Sequence, residues 1–77
     1  MDSRELIYIL TVAEYQSITK AANELYISQP SLSHFILKTE EKIGVRLFDR
    51  STNPITLTYA GEKYVETARQ IIRLNEN

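Results

Sequence analysis

Polar side chains able to meet the edges of base pairs crowd one short stretch, Gln29, Ser31, Ser33 and His34, with Pro30 among them. An amide, two hydroxyls and an imidazole all carry hydrogen-bond donors or acceptors. They follow Ser28, a residue type that caps helices, and Pro30 falls in a first helical turn, where its missing N–H is not needed. The four polar residues therefore stand at the opening of a helix, free to face a partner, while Leu32, Ile36, Ile43 and Leu47 supply a buried stripe behind them. Just upstream, Ser17 caps a shorter helix in which Ile18, Ala21, Ala22 and Leu25 recur at helical spacing. Ala21 and Ala22 are small enough for two helices to cross closely over a tight turn. This is the pattern of a helix-turn-helix that reads DNA.

Other chemistries fit less well. The Ser33-His34 adjacency is no catalytic pair, because neighbours on a helix point about 100° apart and no third group orients the imidazole. His34, the only histidine, reads as a neutral surface donor, since no residues at metal-ligand spacing surround it. Gln29 reads as a base or phosphate contact in preference to a merely solvated residue. For Ser31 and Ser33, DNA contact stands level with satisfying local backbone groups. Pro30 is structural first and a thymine-methyl contact second. Lys38, Lys42 and Arg46, spaced i, i+4, i+8, form either a solvated stripe paired with Glu41 and nearby acids or a line of phosphate contacts. Arg50 is the strongest phosphate candidate. Tyr26 and Phe35 read as core or turn packing, because a duplex offers no unpaired bases to stack.

Composition narrows the classes. Seventy-seven residues make one domain at most, and a chain this short buries only about 60% of its unfolded surface, too little for a large catalytic cleft. No enzyme, cofactor or metal site is expected. The absence of cysteine excludes a disulfide framework, a zinc finger and a thiol nucleophile. No apolar stretch approaches the ~20 residues of a membrane span, and a cytoplasmic setting is expected. The net charge of −1 opposes nucleic-acid binding at first sight. It is unevenly spread: residues 1–14 carry one base against three acids, whereas residues 15–50 carry five bases against four acids. So small an excess predicts weak binding by one copy, with affinity supplied by a dimer or larger assembly that sums phosphate contacts.

The elements that must position these residues follow from pattern. Asp2 or Ser3 caps a first helix with Leu6, Ile9, Leu10 and Ala13 on one face, and Asp2 with Glu5 has capping-box spacing. Gly44 suits a left-handed C-cap after the third helix. Arg46-Leu47-Phe48 and Ile55-Thr56-Leu57-Thr58 read as two extended segments around the turn formers from Asp49 to Pro54, a two-stranded wing. Thr58 caps a last helix of about 16 residues, long for so small a domain, whose stripe of Tyr64, Val65, Ala68, Ile71 and Ile72, with Leu74 nearby, reads as a subunit interface or else as intramolecular core. The expected fold is mainly α: a winged helix-turn-helix over residues 1–58, with a three-helix core, the helix-turn-helix at 18–37 and the wing, followed by a linker and dimerisation helix over residues 59–77.

Several blocks in register, Ala21-Ala22, Ser28-Gln29-Pro30-Ser31-Leu32-Ser33, Glu40, Gly44-Val45-Arg46-Leu47-Phe48-Asp49-Arg50, Leu57-Thr58 and Ala60-Gly61, make the chain similar to the N-terminal domain of LysR-type transcriptional regulators over essentially its whole length. The resemblance implies sequence-specific binding of double-stranded DNA by a bacterial regulator, with the third helix in the major groove and the wing on the flanking backbone or minor groove. It implies Gln29, Pro30 and Ser33 as major-groove contacts and Arg50 as a phosphate contact beside the wing. His34 and Asn53 stand where a long basic or amide side chain and an arginine are usual, and Leu37 and Thr39 where a base and an apolar core residue are usual; these departures point to an altered helix face on the same fold. His34 and Asn53, with Ser31, Lys38 and Thr58, complete the candidate interface. A homodimer through the last helix, and a tetramer in a longer protein, would read an interrupted inverted repeat. A small-molecule effector would act through a further domain that this chain lacks, as expected of a fragment ending within or just after the linker helix. The alternative is a winged-helix module that binds protein.

Overall fold

The computed structural model describes residues 2–76, with side chains as far as residue 74. Helix α1, Ser3–Tyr15, is capped by Asp2, whose carboxylate accepts from the Glu5 amide at 2.8 Å. Only half of the expected capping box forms, because Glu5 turns inward and is buried. Gln16 ends the helix in the left-handed region at φ 51°. Helix α2, Ile18–Leu25, starts from Ser17, whose hydroxyl accepts from the Lys20 amide at 3.2 Å. Helix α3, Gln29–Ile43, has Ser28 as its N-cap and Pro30 in its first turn, and it closes on Gly44 at φ 86°.

Strand β1, Phe48–Asp49, pairs antiparallel with β2, Thr56–Leu57, Phe48 standing opposite Leu57. The ladder is shorter than the sequence pattern suggests. Leu47 lies just outside it, yet its carbonyl still accepts from the Thr58 amide at 3.0 Å. Helix α4, Tyr59–Glu76, is 18 residues long. Thr58 caps it, accepting from the Gly61 amide at 3.0 Å while its own O–H donates to the Arg46 carbonyl at 2.6 Å. Glycine is required at Gly61, because a Cβ there would lie 2.0 Å from the Leu47 carbonyl oxygen.

One core joins all the helices and the start of the wing. Leu6, Ile9 and Val12 of α1 meet Ala21 and Ala22 of α2, Leu32 and Ile36 of α3, Leu47 and Phe48 before and in the wing, and Tyr64, Val65 and Ala68 of α4. Both alanines are fully enclosed, as a close helix crossing demands.

Three expectations are corrected here. Ile43 is 42% exposed and leaves the α3 stripe, which runs instead through Leu32, Ile36, Thr39 and Glu40. The chain turns away at Gly44 immediately after Ile43, so nothing is left to cover it. Tyr26 packs against neither core nor turn; it is 95% exposed. Tyr64, Val65 and Ala68 are at most 8% exposed and belong to this chain's own core, so they have no surface to offer a second subunit. Of the expected interface stripe, Ile71 and Ile72 remain partly accessible and Leu74 stands out into solvent.

Candidate nucleic-acid interface

The first turn and a half of α3 is the most polar exposed helix face near the turn. Gln29, Pro30, Ser31 and His34 are exposed and Ser33 is half-buried, while Leu32 and Ile36, on the opposite side, are fully enclosed. The face is built by local chemistry. The Ser28 hydroxyl accepts from the Ser31 amide at 3.2 Å and donates to the Ser31 hydroxyl oxygen at 2.8 Å, so the cap fixes Ser31 while leaving it a proton to donate. Thr39, where an apolar residue was the usual choice, is buried with its hydroxyl donating to the Phe35 carbonyl at 2.9 Å, which satisfies it within the helix. Phe35 is half-buried and meets Tyr8 edge-on at 4.8 Å, as a packing residue.

Two buried carboxylates hold this helix in place, and sequence reasoning gave neither of them that role. Glu40 accepts from the Leu47 and Phe48 amides at 2.8 and 3.2 Å and from the Arg50 guanidinium at 3.2 Å, joining α3 to the wing. Its spacing of four from Ile36 and eight from Leu32 carried the signal: an acid on an apolar stripe must find donors. Glu5 accepts from the Tyr64 hydroxyl at 2.6 Å and from the Lys42 ammonium, joining α1, α3 and α4. Burial pushes the Glu5 carboxyl up, but the hydrogen bonds from Lys42 and Tyr64 and the Lys42 charge outweigh it, so its pKa lies below the ordinary value. The same pair raises the Lys42 pKa, through the hydrogen bond first. Burial, then Glu5, raises that of Tyr64.

These partners sort the basic residues. Lys38 faces Glu41 at 3.9 Å, Lys42 is held by Glu5, and Arg46 approaches Glu40 at 4.0 Å, which is the solvated and paired stripe rather than a bare line of cations. Arg50 is 29% exposed at its side chain, with one guanidinium nitrogen on Glu40 and the other, Nη2, buried without a partner among the described residues. Asn53 is exposed in the turn between the strands. That turn is braced by Asp49, whose carboxylate accepts from the Ser51 hydroxyl and amide at 2.5 and 2.9 Å; these bonds lower its pKa. Thr58 is the corrected candidate, because its only hydroxyl proton already serves the Arg46 carbonyl and none is left for a phosphate.

Among the described residues no group of three His, Asp or Glu side chains is placed to hold a metal ion, and no helix is long and apolar enough to cross a membrane. The profile of the bacterial regulatory helix-turn-helix proteins of the lysR family matches residues 3–62. The chain belongs to the LysR family. It is 44% identical over 77 residues to the HTH-type transcriptional regulator YcgK of Bacillus subtilis and 41% identical over 78 residues to BsdA of the same organism. All of this chain, and about a quarter of those LysR relatives, is covered. The DNA-binding domain of BenM in complex with catB site 1 DNA superposes with a TM-score of 0.93 at 37% identity, covering 99% of this chain and 82% of that one. Full-length CbnR bound to its target DNA gives 0.87 at 38% identity, covering 99% and 26%. These relatives are transcriptional regulators rather than enzymes.

Proposed function

We propose that the chain is the sequence-reading part of a LysR-type transcriptional regulator, laying the opening of α3 in the major groove of duplex DNA with the wing against the flanking backbone or minor groove. The supporting observation is the two-sidedness of α3: Gln29, Pro30, Ser31 and His34 lie bare on one side while Leu32 and Ile36 are fully enclosed on the other. Gln29 and Ser33 are the base-edge contacts, Pro30 the thymine-methyl contact, and Ser31, Lys38 and Arg50 the phosphate contacts, with His34 and Asn53 at the margins of the site. Residues 1–58, closed by the first half of α4 through Tyr64, Val65 and Ala68, form the DNA-binding unit, and the rest of α4 is the linker. Two copies join through the accessible part of α4, where Ile71, Ile72 and Leu74 are available, and read an interrupted inverted repeat. In a longer protein the dimers pair into tetramers, a small-molecule effector acts through a further domain, and the site of action is the cytoplasm, where a bacterial chromosome lies.

Selection of bound sites from a random duplex pool, with the oligomeric state measured by sedimentation, tests this. The expected result is a consensus of two inverted half-sites bound by two copies. Retention of all sequences alike, or of none, would overturn it.

A further inference from the structure

The side chain of Tyr26 has no partner in the fold among the described residues. The chain has five tyrosines, and four of them have evident partners: Tyr8 against Phe35, Tyr15 beside Glu24, Tyr59 under Lys63, and Tyr64 on Glu5. Tyr26 is 95% exposed and hydrogen-bonds only through its backbone among the described residues. Its backbone sits in the left-handed region at φ 58°, where it closes α2. That position usually takes glycine or asparagine, since a side chain there costs roughly 1 kcal/mol. The chain uses glycine for the same purpose at the end of α3 and a polar Gln16 at the end of α1. A bulky phenol therefore stands at a place where neither packing nor backbone geometry asks for it.

Its location supplies the missing reason. Tyr26 lies in the turn of the helix-turn-helix, three residues before Gln29, so the two backbones are separated by at most about 11 Å. The major groove is about 12 Å wide. A helix that enters the groove at Gln29 thus leaves the turn within reach of the groove wall, where phosphate oxygens accept hydrogen bonds and a phenolic O–H can donate one. We infer that Tyr26 is a DNA-backbone contact, an uncharged donor to a phosphate on the strand flanking the entry of α3. This rests on the DNA-binding reading above.

The test uses the full chain and two duplexes, one carrying a site selected from the random pool and one of random sequence. Tyr26→Phe removes a single oxygen from an exposed position and is expected to keep the thermal midpoint. It should weaken binding to both duplexes by the same factor, about three- to tenfold. The dependence of log affinity on log salt should keep its slope, because a neutral donor displaces no counterion. Tyr26→Gly, which relaxes the backbone, should bind as weakly as or more weakly than Tyr26→Phe while remaining folded. Wild-type affinity in Tyr26→Phe, a loss confined to particular base pairs, or a lowered thermal midpoint would each overturn the assignment. Absence of binding by the unsubstituted chain would instead overturn the DNA reading itself.

Discussion

Gln29 and Ser33 share a helix turn but not a surrounding. Gln29 is open to solvent, whereas Ser33 is half-buried and can reach only what comes close. Replacement of either by alanine is expected to cost about 1–3 kcal/mol at particular base pairs and little elsewhere, measured as affinities over a panel of single-base variants of the selected site. Arg50 belongs to a different class. Glu40 already neutralises part of its charge and fixes its direction, so Arg50→Ala should weaken binding to every sequence and reduce the salt slope by about one phosphate contact. An unchanged slope would remove Arg50 from the interface. The exposed place of Gln29, Pro30 and Ser31 in the first turn of α3 was legible in the sequence because caps and first turns follow short-range rules. The burial of Glu5 and the paired state of Lys42 were not, since their partners lie 37 and 59 positions away along the chain.

The helices are fixed at their ends by caps and between their ends by buried partners, and sequence pattern marked the first better than the second. Helix boundaries followed the caps Asp2, Ser17, Ser28 and Gly44 closely, because capping is a local contest for orphan backbone groups. The destination of α4 was less legible. An apolar stripe on a terminal helix reads the same whether it meets its own core or another subunit, and Tyr64, Val65 and Ala68 chose the core. Between α3 and the wing, Glu40→Ala would strand the Leu47 and Phe48 amides and loosen Arg50. A loss of about 3–5 kcal/mol in urea unfolding is expected. The two glycines should behave differently. Gly61→Ala drives a methyl into the Leu47 carbonyl and should cost about 3 kcal/mol or more, while Gly44→Ala meets open space and should cost only the left-handed strain, about 1–2 kcal/mol.

For the molecule as a whole, Glu5 ties three helices through one carboxylate, and its charge state links that tie to pH. Its folded pKa is depressed, so the stability it contributes is fully present above the unfolded-state value of about 4.3 and is lost as pH falls through the folded value. Thermal midpoints recorded from pH 6 down to pH 3 should fall less steeply in Glu5→Gln than in the parent chain. Parallel curves would show that other carboxylates dominate acid unfolding. The fold class was readable as a whole because helix pattern, turn chemistry and wing all agreed. The weak net charge, the feature most at odds with a nucleic-acid partner, is not relieved by local pairing, because Glu5, Glu40 and Glu41 each take up a base, Lys42, Arg50 and Lys38; affinity is therefore expected to come from several copies summing their contacts.

The two strands of the wing are stitched to each other by only two residues apiece. So short a ladder has little cooperative strength of its own. Deuterium should therefore replace the amide protons of residues 50–53 and of Ile55 well before those of α1 or α3 in the free chain, and duplex should slow that replacement. In the proposed complex, holding the wing against duplex would then carry an entropic cost for stilling a few residues.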